Sequence, residues 1–527
     1  MSPTRERNWW GWGYADARID PHGVRAHAAT LFGFGELPAV EDPVPLAAID
    51  LPAPRLEVRG LPAGSSDRLA RVHHSLGKSY PDTIRAFRGR LDHVVDAVAT
   101  PADEAQVEAV LEWAAGANAA IIPYGGGTSV VGGIEPRGAA LERFDGVISL
   151  DLTRLDRVLE LDEHSRAALI QAGASGPILE EQLRAHGLTM RFFPQSFELA
   201  TLGGWLATRA GGHFATARTH VDDLTESIRA LTPSGVWESR RLPGSGAGVS
   251  PDRMLLGSEG ALGVITQAWM RVQPRPAHRA SQAVRFDSFS AGAEAVRAIA
   301  QSGLTPANLR LLDELEARQT AAGDGSHAVL VLGFESTAPE VEVDDDLRRG
   351  LALCREHGGV YEQRPKGTPT GGGAVDTWRD AFLAMPYLRD AMVRCGVLTD
   401  TFETAITWER FPAFHAHVTA AVREALGEPC RVSCRFTHVY PDGPAPYYTV
   451  IAPAERGGEL EQWQRMKQAA GDAIMAGGGT ITHHHAVGRD HRPWYDEQRP
   501  DLFAAALTGA KAAVDPRGLM NPGVLVG

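Results

Sequence analysis

The chain has 527 residues, of which 43% are hydrophobic and 22% charged, and its formal net charge is −13 at pH 7. This length predicts roughly two to four domains, and the acidic balance argues against a broad nucleic-acid-binding surface. The first residues contain no apolar stretch of the secretory type, and no run approaches the ~18 apolar residues of a membrane span. Four cysteines in so long a chain do not make a disulfide scaffold. We therefore expect a cytoplasmic protein that binds no nucleic acid.

Residues 1–78 are rich in proline and tryptophan and predict an N-terminal arm. Trp9, Trp10, Trp12 and Tyr14 form an aromatic cluster around glycines. Such a cluster either fixes the arm to the body of the protein or faces lipid, and we favour the first interpretation.

From about residue 96 the hydrophobic pattern alternates between short strands and amphipathic helices. Asp103 and Glu104 suit the first turn of a helix that opens at Pro101, because acidic side chains favour helix N-termini. The alternation predicts an α+β domain that covers residues 79–277. Its predicted strands are 94–99, 119–123, 147–152 and 167–172, and its second predicted helix is 178–186.

A second unit, with alternating helices and strands, is predicted over residues 278–455 and is followed by a C-terminal segment, 456–527. We interpret residues 363–375, which contain three consecutive glycines, as a linker or lid rather than a second phosphate-binding loop. The predicted strands are 328–334 and 447–452, and the predicted helices are 293–301, 341–356, 459–476 and one within 504–525.

The stretch Pro123-Tyr-Gly-Gly-Gly-Thr-Ser129 comes directly after a predicted strand. Three glycines let backbone N–H groups approach an anion closely, and the two hydroxyls add donors. The loop has neither the lysine of a Walker loop nor the spacing of a Rossmann fingerprint, so taken alone it also fits a structural turn. Two further glycine-bearing stretches, 194–212 and 256–266, favour phosphate binding over the turn.

In this order and spacing, the three stretches resemble the FAD domain of the vanillyl-alcohol oxidase/p-cresol methylhydroxylase superfamily. The ending Val514-Asp-Pro-Arg-Gly-Leu-Met-Asn-Pro-Gly523 is similar to the end of that family too. The resemblance implies an α+β fold with a two-subdomain FAD-binding domain of the p-cresol methylhydroxylase type, an α/β cap for substrate, and a C-terminal helical segment that closes over FAD. No sequence feature marks a histidine as the point of covalent attachment of the flavin, so we expect noncovalent FAD. The resemblance places these residues at the cofactor: Pro123, Tyr124, Gly125, Gly126, Gly127, Thr128, Ser129, Gln195, Ser196, Thr201, Gly203, Gly204, Thr208, Arg209, Ala210, Gly211, Glu259, Gly260, Gly263, Val264 and Ile265.

Within the superfamily the chain resembles the alkyldihydroxyacetonephosphate synthase family over most of its length. Four pieces carry this resemblance: Tyr387-Leu-Arg-Asp390, Thr401-Phe-Glu-Thr404, Cys434-Arg-Phe-Thr-His-Val-Tyr440 with Tyr447, and Thr482-His-His-His-Ala-Val-Gly488. It implies an enzyme of ether-lipid synthesis that exchanges the fatty acid of acyl-dihydroxyacetone phosphate for a fatty alcohol, with no net redox change. By the match, Arg389 falls on the substrate-binding arginine and Tyr447 on the catalytic tyrosine. His483, His484 and His485 fall on the catalytic histidine motif.

The resemblance also sets the expected partners. These are small-molecule lipid substrates, acyl-dihydroxyacetone phosphate and a fatty alcohol, and a second copy of the chain in a homodimer. Because such substrates are poorly soluble, we expect peripheral contact with the inner face of the membrane.

Arg389 and Tyr447 have residue types that suit this chemistry, although each has an ordinary structural alternative. The forked, always-charged guanidinium of Arg389 fits a phosphate or carboxylate, although the sequence alone favours an arginine on a helix surface without a partner. A tyrosine in an apolar strand is ordinarily a core residue. Near a flavin and a cation, Tyr447 would instead serve as a general acid or base.

The histidine run admits three interpretations: an exposed or hydrogen-bonded run, a metal site, or active-site acid–base groups, which we favour. If the run is a strand, its faces alternate, so that only His483 and His485 point the same way. A zinc site would need further ligands, for which Asp490 and His491 are the only close candidates, and we expect no metal.

Two positions depart from the family pattern: Phe192 stands where the family has a histidine, and Gln195 where it has an aspartate. By analogy both lie close to the flavin and bear on substrate identity more than on FAD binding.

One alternative function is an FAD-linked dehydrogenase or oxidase of a 2-hydroxy acid such as D-lactate or glycolate. Such enzymes carry GEHGxG where this chain has His483-His-His-Ala-Val-Gly488. A protein that holds FAD or a phospholipid without turnover is the second alternative, and Phe192 is its only support.

Overall fold

The computed structural model describes residues 5–362 and 374–526. Most of the loop predicted at 363–375 therefore lies outside the described residues. Within the part of the chain that the structure describes, every helix is too short or too polar to cross a bilayer.

The N-terminal part is helical and packs against the body of the protein. Its first helix begins after Asp20, whose carboxylate caps it, and ends where Gly33 adopts a φ of +66°. Trp10 and Trp12 are buried, and the rings of Trp10 and Phe87 lie 5.3 Å apart. The aromatic cluster thus fixes the arm to the body of the protein through at least Trp10 and Trp12. The elements are α1 (Pro21–Phe32), β1 (Gly64–Ser65), α2 (Arg68–His73) and α3 (Tyr80–Phe87).

The next elements form a small sheet with strand order β1-β2-β4-β3, in which β2, β4 and β3 run parallel. A helix joins β2 to β3, which run parallel on either side of β4. The elements are β2 (Ala97–Ala99), α4 (Glu104–Gly116), β3 (Ala119–Tyr124) and β4 (Gly146–Asp151).

A second, antiparallel sheet has the order β5-β6-β10-β8-β9 and completes a two-subdomain α+β unit of the predicted kind. The strand pair β7–β11 lies beside it. The elements are β5 (Val158–Asp162), β6 (Ala167–Gln171), α5 (Gly176–Arg184), β7 (Leu188–Thr189), α6 (Leu202–Thr208), β8 (Thr225–Thr232), β9 (Gly235–Glu238), α7 (Pro251–Leu255), β10 (Val264–Arg271) and β11 (Gln273–Pro274).

The cap is built on a six-stranded antiparallel sheet with the order β12-β14-β13-β16-β17-β15. Helices of the cap pack on this sheet, and its apolar core is continuous with α3 of the N-terminal part. The elements are β12 (His278–Phe286), α8 (Phe289–Gln301), β13 (Asn308–Leu312), α9 (Glu314–Gln319), β14 (Ala328–Ser336), α10 (Asp344–Glu356), α11 (Ala374–Arg394), β15 (Val397–Glu403), α12 (Phe411–Leu426), β16 (Arg431–Val439) and β17 (Pro444–Pro453).

The C-terminal segment is helical and returns to the two-subdomain unit. The side-chain amide of Asn521 donates to the backbone carbonyl oxygens of Gly133 (3.0 Å) and Glu259 (2.7 Å), which ties the end of the chain to that unit. The elements are α13 (Glu459–Ala476), α14 (Arg492–Gln498) and α15 (Asp501–Val514).

Predicted and observed elements agree in type, and most differ at their ends. The helix predicted at 459–476 is confirmed at both ends. The helix predicted to open at Pro101 begins at Glu104, because the side chain of Asp103 caps it by accepting the N–H of Gln106. The helix predicted from residue 293 begins four residues earlier, after its cap Ser288. Capping side chains therefore decide these boundaries.

Candidate active site

A cavity of about 760 Å³ is lined by both subdomains of the α+β unit, by the cap sheet, and by helices α1 and α11. Arg209 and Val264 are the two predicted cofactor residues that do not line it. The guanidinium of Arg209 pairs with Asp222 at 2.8 Å, and Val264 is buried in β10. The predicted cofactor residues on the wall are Pro123, Tyr124, Gly125, Gly126, Gly127, Thr128, Ser129, Gln195, Ser196, Thr201, Gly203, Gly204, Thr208, Ala210, Gly211, Glu259, Gly260, Gly263 and Ile265.

The glycine loop after β3 packs tightly against the 194–204 stretch. A Cβ atom on Gly126 would lie 2.0 Å from the carbonyl oxygen of Leu199, and one on Gly125 would lie 2.2 Å from Oγ1 of Thr201. A Cβ atom on Gly204 would instead meet only Oγ1 of Thr201, at 3.5 Å. Gly125, Gly126 and Gly204 also line the cavity, so part of this wall presents backbone without side chains, against which a flat, extended group such as FAD can lie.

Glu259 connects this wall to the C-terminal segment. Its carboxylate accepts the backbone N–H groups of Val487 (2.8 Å) and Gly488 (2.7 Å). Burial raises the pKa of Glu259 to about 7, although these two hydrogen bonds oppose the rise. Glu259 therefore holds the segment after the histidine run against the cavity.

Arg389 and Lys78 place two cations on the cavity wall. Nη1 of Arg389 donates to the carbonyl oxygen of Lys78 at 2.6 Å, while Nε and Nη2 are buried and have no hydrogen-bond partner among the described residues. Burial lowers the pKa of Lys78 to about 8. Asp390, the next residue on α11, accepts the N–H of Trp12 at 2.6 Å and so ties this helix to the N-terminal arm. Two unsatisfied guanidinium donors beside a second cation suit a bound anion.

Tyr447 lies on β17, at the cavity wall formed by the cap. Its hydroxyl donates to Oγ1 of Thr401 at 2.9 Å, and Cζ of Arg435 lies 3.9 Å from the ring centroid. Burial raises the pKa of Tyr447, and the positive charge of Arg435 opposes the rise without cancelling it. The phenol is therefore protonated at neutral pH, with the rings of His485 and His484 5.4 and 6.0 Å away.

The histidine run does not form a strand, so the predicted alternation of faces is wrong. The backbone N–H groups of His483, His484 and His485 all donate to the buried carboxylate of Glu403, at 2.6, 3.1 and 2.9 Å. The carboxylate thereby gathers three successive N–H groups in a turn, which a strand cannot do. Burial alone would raise the pKa of Glu403, but the three histidines and the hydroxyl of Thr482 hold it well below its usual range. His484 and His485 line the cavity, whereas His483 is not on its wall.

His438 joins this group from β16. The pairing of β16 with β17 shifts register between Phe436 and His438, and this bulge accompanies the placement of His438 on the cavity wall. Ring nitrogens of His438, His483 and His484 lie within 4.8 Å of one another, a spacing at which a metal ion fits. However, both ring nitrogens of His483 contact other side chains, Nδ1 that of His484 (3.0 Å) and Nε2 that of Tyr440 (2.7 Å). We therefore interpret the group as hydrogen-bonded histidines.

The two metal-ligand candidates named from the sequence do not belong to this group. Asp490 accepts a hydrogen bond from Arg137 at 2.6 Å, and Nδ1 of His491 lies 2.9 Å from the carbonyl oxygen of Ala486. Both side chains instead stabilise the segment that follows the histidine run.

Sequence reasoning assigned no role to Lys78, or to Glu403, Arg435 and His438, although the last three lie in stretches that carry the family resemblance. A signal for part of this wall is polar residues at every second position of apolar strands, because such residues share one face of a sheet. Three such pairs line the cavity: Thr399 and Thr401 on β15, Arg435 and Thr437 on β16, and Tyr447 and Thr449 on β17.

Phe192, which we expected close to the flavin, does not line the cavity. Its side chain is 1% exposed, and its ring packs against Trp205 at 5.3 Å between centroids. The neighbouring Phe193 faces the cavity instead, and so does Gln195. The departure at position 192 therefore alters the packing of the core, and only the departure at position 195 alters the cavity wall.

Comparison with known proteins places this geometry in a family. Residues 95–239 match the family described as FAD binding domain, and residues 275–525 match that described as FAD linked oxidases, C-terminal domain. The chain is 30% identical over 495 residues to alkyldihydroxyacetonephosphate synthase of Caenorhabditis elegans, covering 87% of this chain and 80% of that protein. A solved alkyldihydroxyacetonephosphate synthase superposes with a TM-score of 0.80 at 25% identity, over 98% of this chain and 97% of that one. p-Cresol methylhydroxylase with substrate bound shares the fold, with a TM-score of 0.68 at 14% identity over 89% of this chain and 95% of that one.

Proposed function

The chain belongs to the alkyldihydroxyacetonephosphate synthase family, and we propose that it exchanges the fatty acid of acyl-dihydroxyacetone phosphate for a fatty alcohol. The observation that carries the proposal is one continuous cavity with three chemically different walls. The Arg389–Lys78 pair supplies an anion site, and Tyr447 with two histidines supplies acid–base groups. The third wall is apolar and comes from α1, α11 and β17, through Val24, Ala28, Leu31, Phe32, Leu388, Met392 and Ile451.

Each wall matches one part of the proposed substrate. The phosphate fits the unsatisfied donors of Arg389, since a planar guanidinium binds phosphate oxygens with two parallel hydrogen bonds. The long acyl or alkyl chain fits the apolar wall, where about 0.8 kcal/mol per buried methylene favours its binding. The reacting carbons would then lie between these two ends, beside Tyr447.

The cofactor is FAD, as membership of this flavoenzyme family requires. We propose that it binds noncovalently along the wall formed by the glycine loop after β3 and by the 194–212 and 256–266 stretches. When bound, FAD supplies an isoalloxazine ring that can form and release a bond to the substrate while the chains exchange without net oxidation. The protein's own contribution is to orient the phosphate, exclude water and move protons.

Gly126→Val is expected to abolish retention of FAD. The new Cβ atom would lie 2.0 Å from the carbonyl oxygen of Leu199, so the loop must move away from the 194–204 stretch. The ratio of flavin to protein absorbance after purification measures the effect. Gly116→Val is the matched control, because a Cβ atom on Gly116 meets nothing within 4 Å and should leave FAD bound. A fully flavinated Gly126→Val protein would contradict the assignment of this wall to FAD.

Tyr447, His484 and His485 are the proposed acid–base groups. The Tyr447 phenol is protonated at neutral pH and is fixed by its hydrogen bond to Thr401, so it holds a proton at a defined place beside the reacting carbons. The exchange in this family, as the resemblance implies, begins with removal of a proton from C1, the ester-bearing carbon of the dihydroxyacetone unit. A protonated phenol can contribute to that step only together with a neighbouring base. The histidines at 5.4 and 6.0 Å are suited to that role, and Arg435 would support the leaving carboxylate.

We also propose the finer organisation that the sequence predicts: an arm (1–78), an FAD-binding domain (79–277), a cap (278–455) and a C-terminal segment (456–527). A homodimer in the cytoplasm, in peripheral contact with the membrane, would suit substrates of low solubility. Size-exclusion chromatography with light scattering, and sedimentation with anionic vesicles, test the dimer and the membrane contact separately.

Mass spectrometry of the products tests the proposed function. FAD-loaded protein is mixed anaerobically with palmitoyl-dihydroxyacetone phosphate and hexadecanol, and we expect alkyl-dihydroxyacetone phosphate and palmitate without an added electron acceptor. A flavin-loaded sample that gives no ether product, but whose flavin bleaches anaerobically with D-lactate or glycolate, would contradict the exchange and favour the 2-hydroxy-acid oxidoreductase. The hypothesis of a binding protein without turnover loses its sequence support, because Phe192 does not line the cavity.

A further inference from the structure

A second, smaller cleft lies on the other side of the histidine run from the cavity. It has a volume of about 440 Å³, and its polar lining includes Thr219, His220, Asp223, Tyr440, and Asp222 with the two arginines that pair with it, Arg209 (2.8 Å) and Arg253 (2.5 Å). His483 lies between the two: Nδ1 is 3.0 Å from Nδ1 of His484 on the cavity wall, and Nε2 is 3.1 Å from Nε2 of His220 in the cleft. Three imidazoles therefore form a continuous hydrogen-bonded chain from cavity to cleft.

One backbone contact determines the protonation of the whole chain. Nδ1 of His220 lies 3.0 Å from the carbonyl oxygen of Arg209, which only accepts, so Nδ1 carries the hydrogen and Nε2 of His220 is an acceptor. Nε2 of His483 then donates, because the nearby hydroxyl of Tyr440 (2.7 Å) can give its own hydrogen to Oγ1 of Thr219 (2.9 Å) and accept from His483. Nδ1 of His483 is left to accept from Nδ1 of His484. The remaining nitrogen of His484, Nε2, is left with its lone pair free to accept a proton.

The proposed reaction needs such an acceptor. Exchange of an ester's carboxylic acid for an alcohol converts R–CO–O–CH2 and R′–OH into R′–O–CH2 and R–COOH. A fatty acid is ionised at neutral pH, since carboxyl groups have a pKa of about 4. Each turnover therefore releases one proton inside the protein, in addition to the carboxylate, and this proton must reach solvent.

We propose that His484, His483 and His220 form a relay that carries this proton from the cavity to the outer cleft. This inference rests on the proposed exchange and goes beyond it, because it assigns the proton's exit. Nε2 of His484 takes the proton, the hydrogen on its Nδ1 passes to Nδ1 of His483, and the hydrogen on Nε2 of His483 passes to Nε2 of His220. The resulting imidazolium of His220 gives a proton to water in the cleft, and rotation of the rings restores the starting state.

The surroundings of the three rings favour passage of the proton to the cleft, because they disfavour a positive charge that stays on His484 or His483. Burial lowers the pKa of His483 well below its usual range and that of His484 to about 3, so neither ring holds the charge. His220 lines the outer cleft, and its backbone N–H donates to the carboxylate of Asp223 at 3.4 Å.

His220→Asn tests the relay, because the asparagine amide can keep the hydrogen bond to the carbonyl of Arg209 while Nε2 is lost. We expect FAD retention and KM to stay near their wild-type values and kcat to fall at least ~10-fold, with a larger solvent deuterium isotope effect. In His220→Gly, millimolar imidazole should restore part of kcat, because the vacated space opens into the cleft. His278→Asn is the control: it removes another imidazole, bonded to the carbonyl of Pro339, and should leave kcat unchanged. Wild-type kcat in His220→Asn would overturn the relay.

A measurement without turnover separates failure of the relay from failure of the proposed function. In ¹⁵N-histidine-labelled protein, long-range proton–nitrogen spectra should show hydrogen on Nδ1 of His220, on Nε2 of His483 and on Nδ1 of His484, with assignments from single His→Gln variants. Any other pattern in the wild type overturns the relay whatever the enzyme's activity. Absence of ether product from wild-type protein that shows this pattern would instead contradict the proposed function.

Discussion

Tyr447→Phe is expected to lower the rate of the exchange reaction at least ~100-fold while the absorption spectrum of bound FAD stays unchanged. The substitution removes one hydroxyl, which donates to Thr401, and keeps the ring that packs against Arg435. The fold and the FAD wall should therefore persist, and the loss should appear in kcat. Steady-state formation of the ether product, with the flavin content of each preparation, measures it.

Tyr448→Phe is the matched control for this prediction. Tyr448 follows Tyr447 on β17, and alternation along the strand directs its side chain to the opposite face, where its hydroxyl contacts Nδ1 of His415 at 3.2 Å. Loss of this buried hydroxyl should cost about 1 kcal/mol of stability and leave kcat unchanged. Full activity of Tyr447→Phe, or equal losses in the two variants, would show that Tyr447 has no acid–base role.

Local sequence features and the family resemblance were sufficient to predict the glycine wall. The glycine loop after β3 is contiguous in sequence, and its conformational requirement is local, so its place on the cavity wall follows from the motif. The resemblance likewise predicted Arg389 and Tyr447 as residues of one site, and both line the same cavity. For Arg389 the sequence alone favoured an arginine without a ligand, since nothing local shows that two of its nitrogens are buried and unpaired.

The geometry of the histidine run could not be predicted, because it depends on a residue 80 positions earlier. Glu403 reaches the run only because β15 pairs with β17 at the edge of the cap sheet. In isolation, three consecutive histidines are equally compatible with a strand and a turn, and the buried carboxylate favours the turn. The placement of Phe192 failed for a related reason: Phe192 and Phe193 are adjacent and alike in polarity, and only tertiary packing decides which one enters the core.

Glu403→Gln is expected to lower both stability and activity, because four hydrogen-bond donors converge on this carboxylate. Oε2 accepts the N–H of His483, and Oε1 accepts the N–H groups of His484 and His485 and the hydroxyl of Thr482. A glutamine amide nitrogen in either position opposes at least one of these donors and leaves it buried and unsatisfied. We expect a loss of about 1–3 kcal/mol in the free energy of unfolding. Displacement of the histidines should lower kcat about 100-fold.

The pH dependence of stability gives this prediction a second readout. The folded state holds the pKa of Glu403 well below its ordinary value of 4.5. The ionised carboxylate therefore adds to the free energy of unfolding of the wild type above pH 4.5, and this contribution is lost as the pH falls toward the folded-state pKa. The stability gap between wild type and Glu403→Gln should therefore be constant from about pH 5.5 to 7 and shrink below pH 4.5. Denaturant unfolding at a series of pH values measures the gap, and the exposed Glu409→Gln is the control that should show almost none. A gap that widened on acidification would mean that Glu403 is protonated in the folded protein, and that a carboxylate does not order the histidine run.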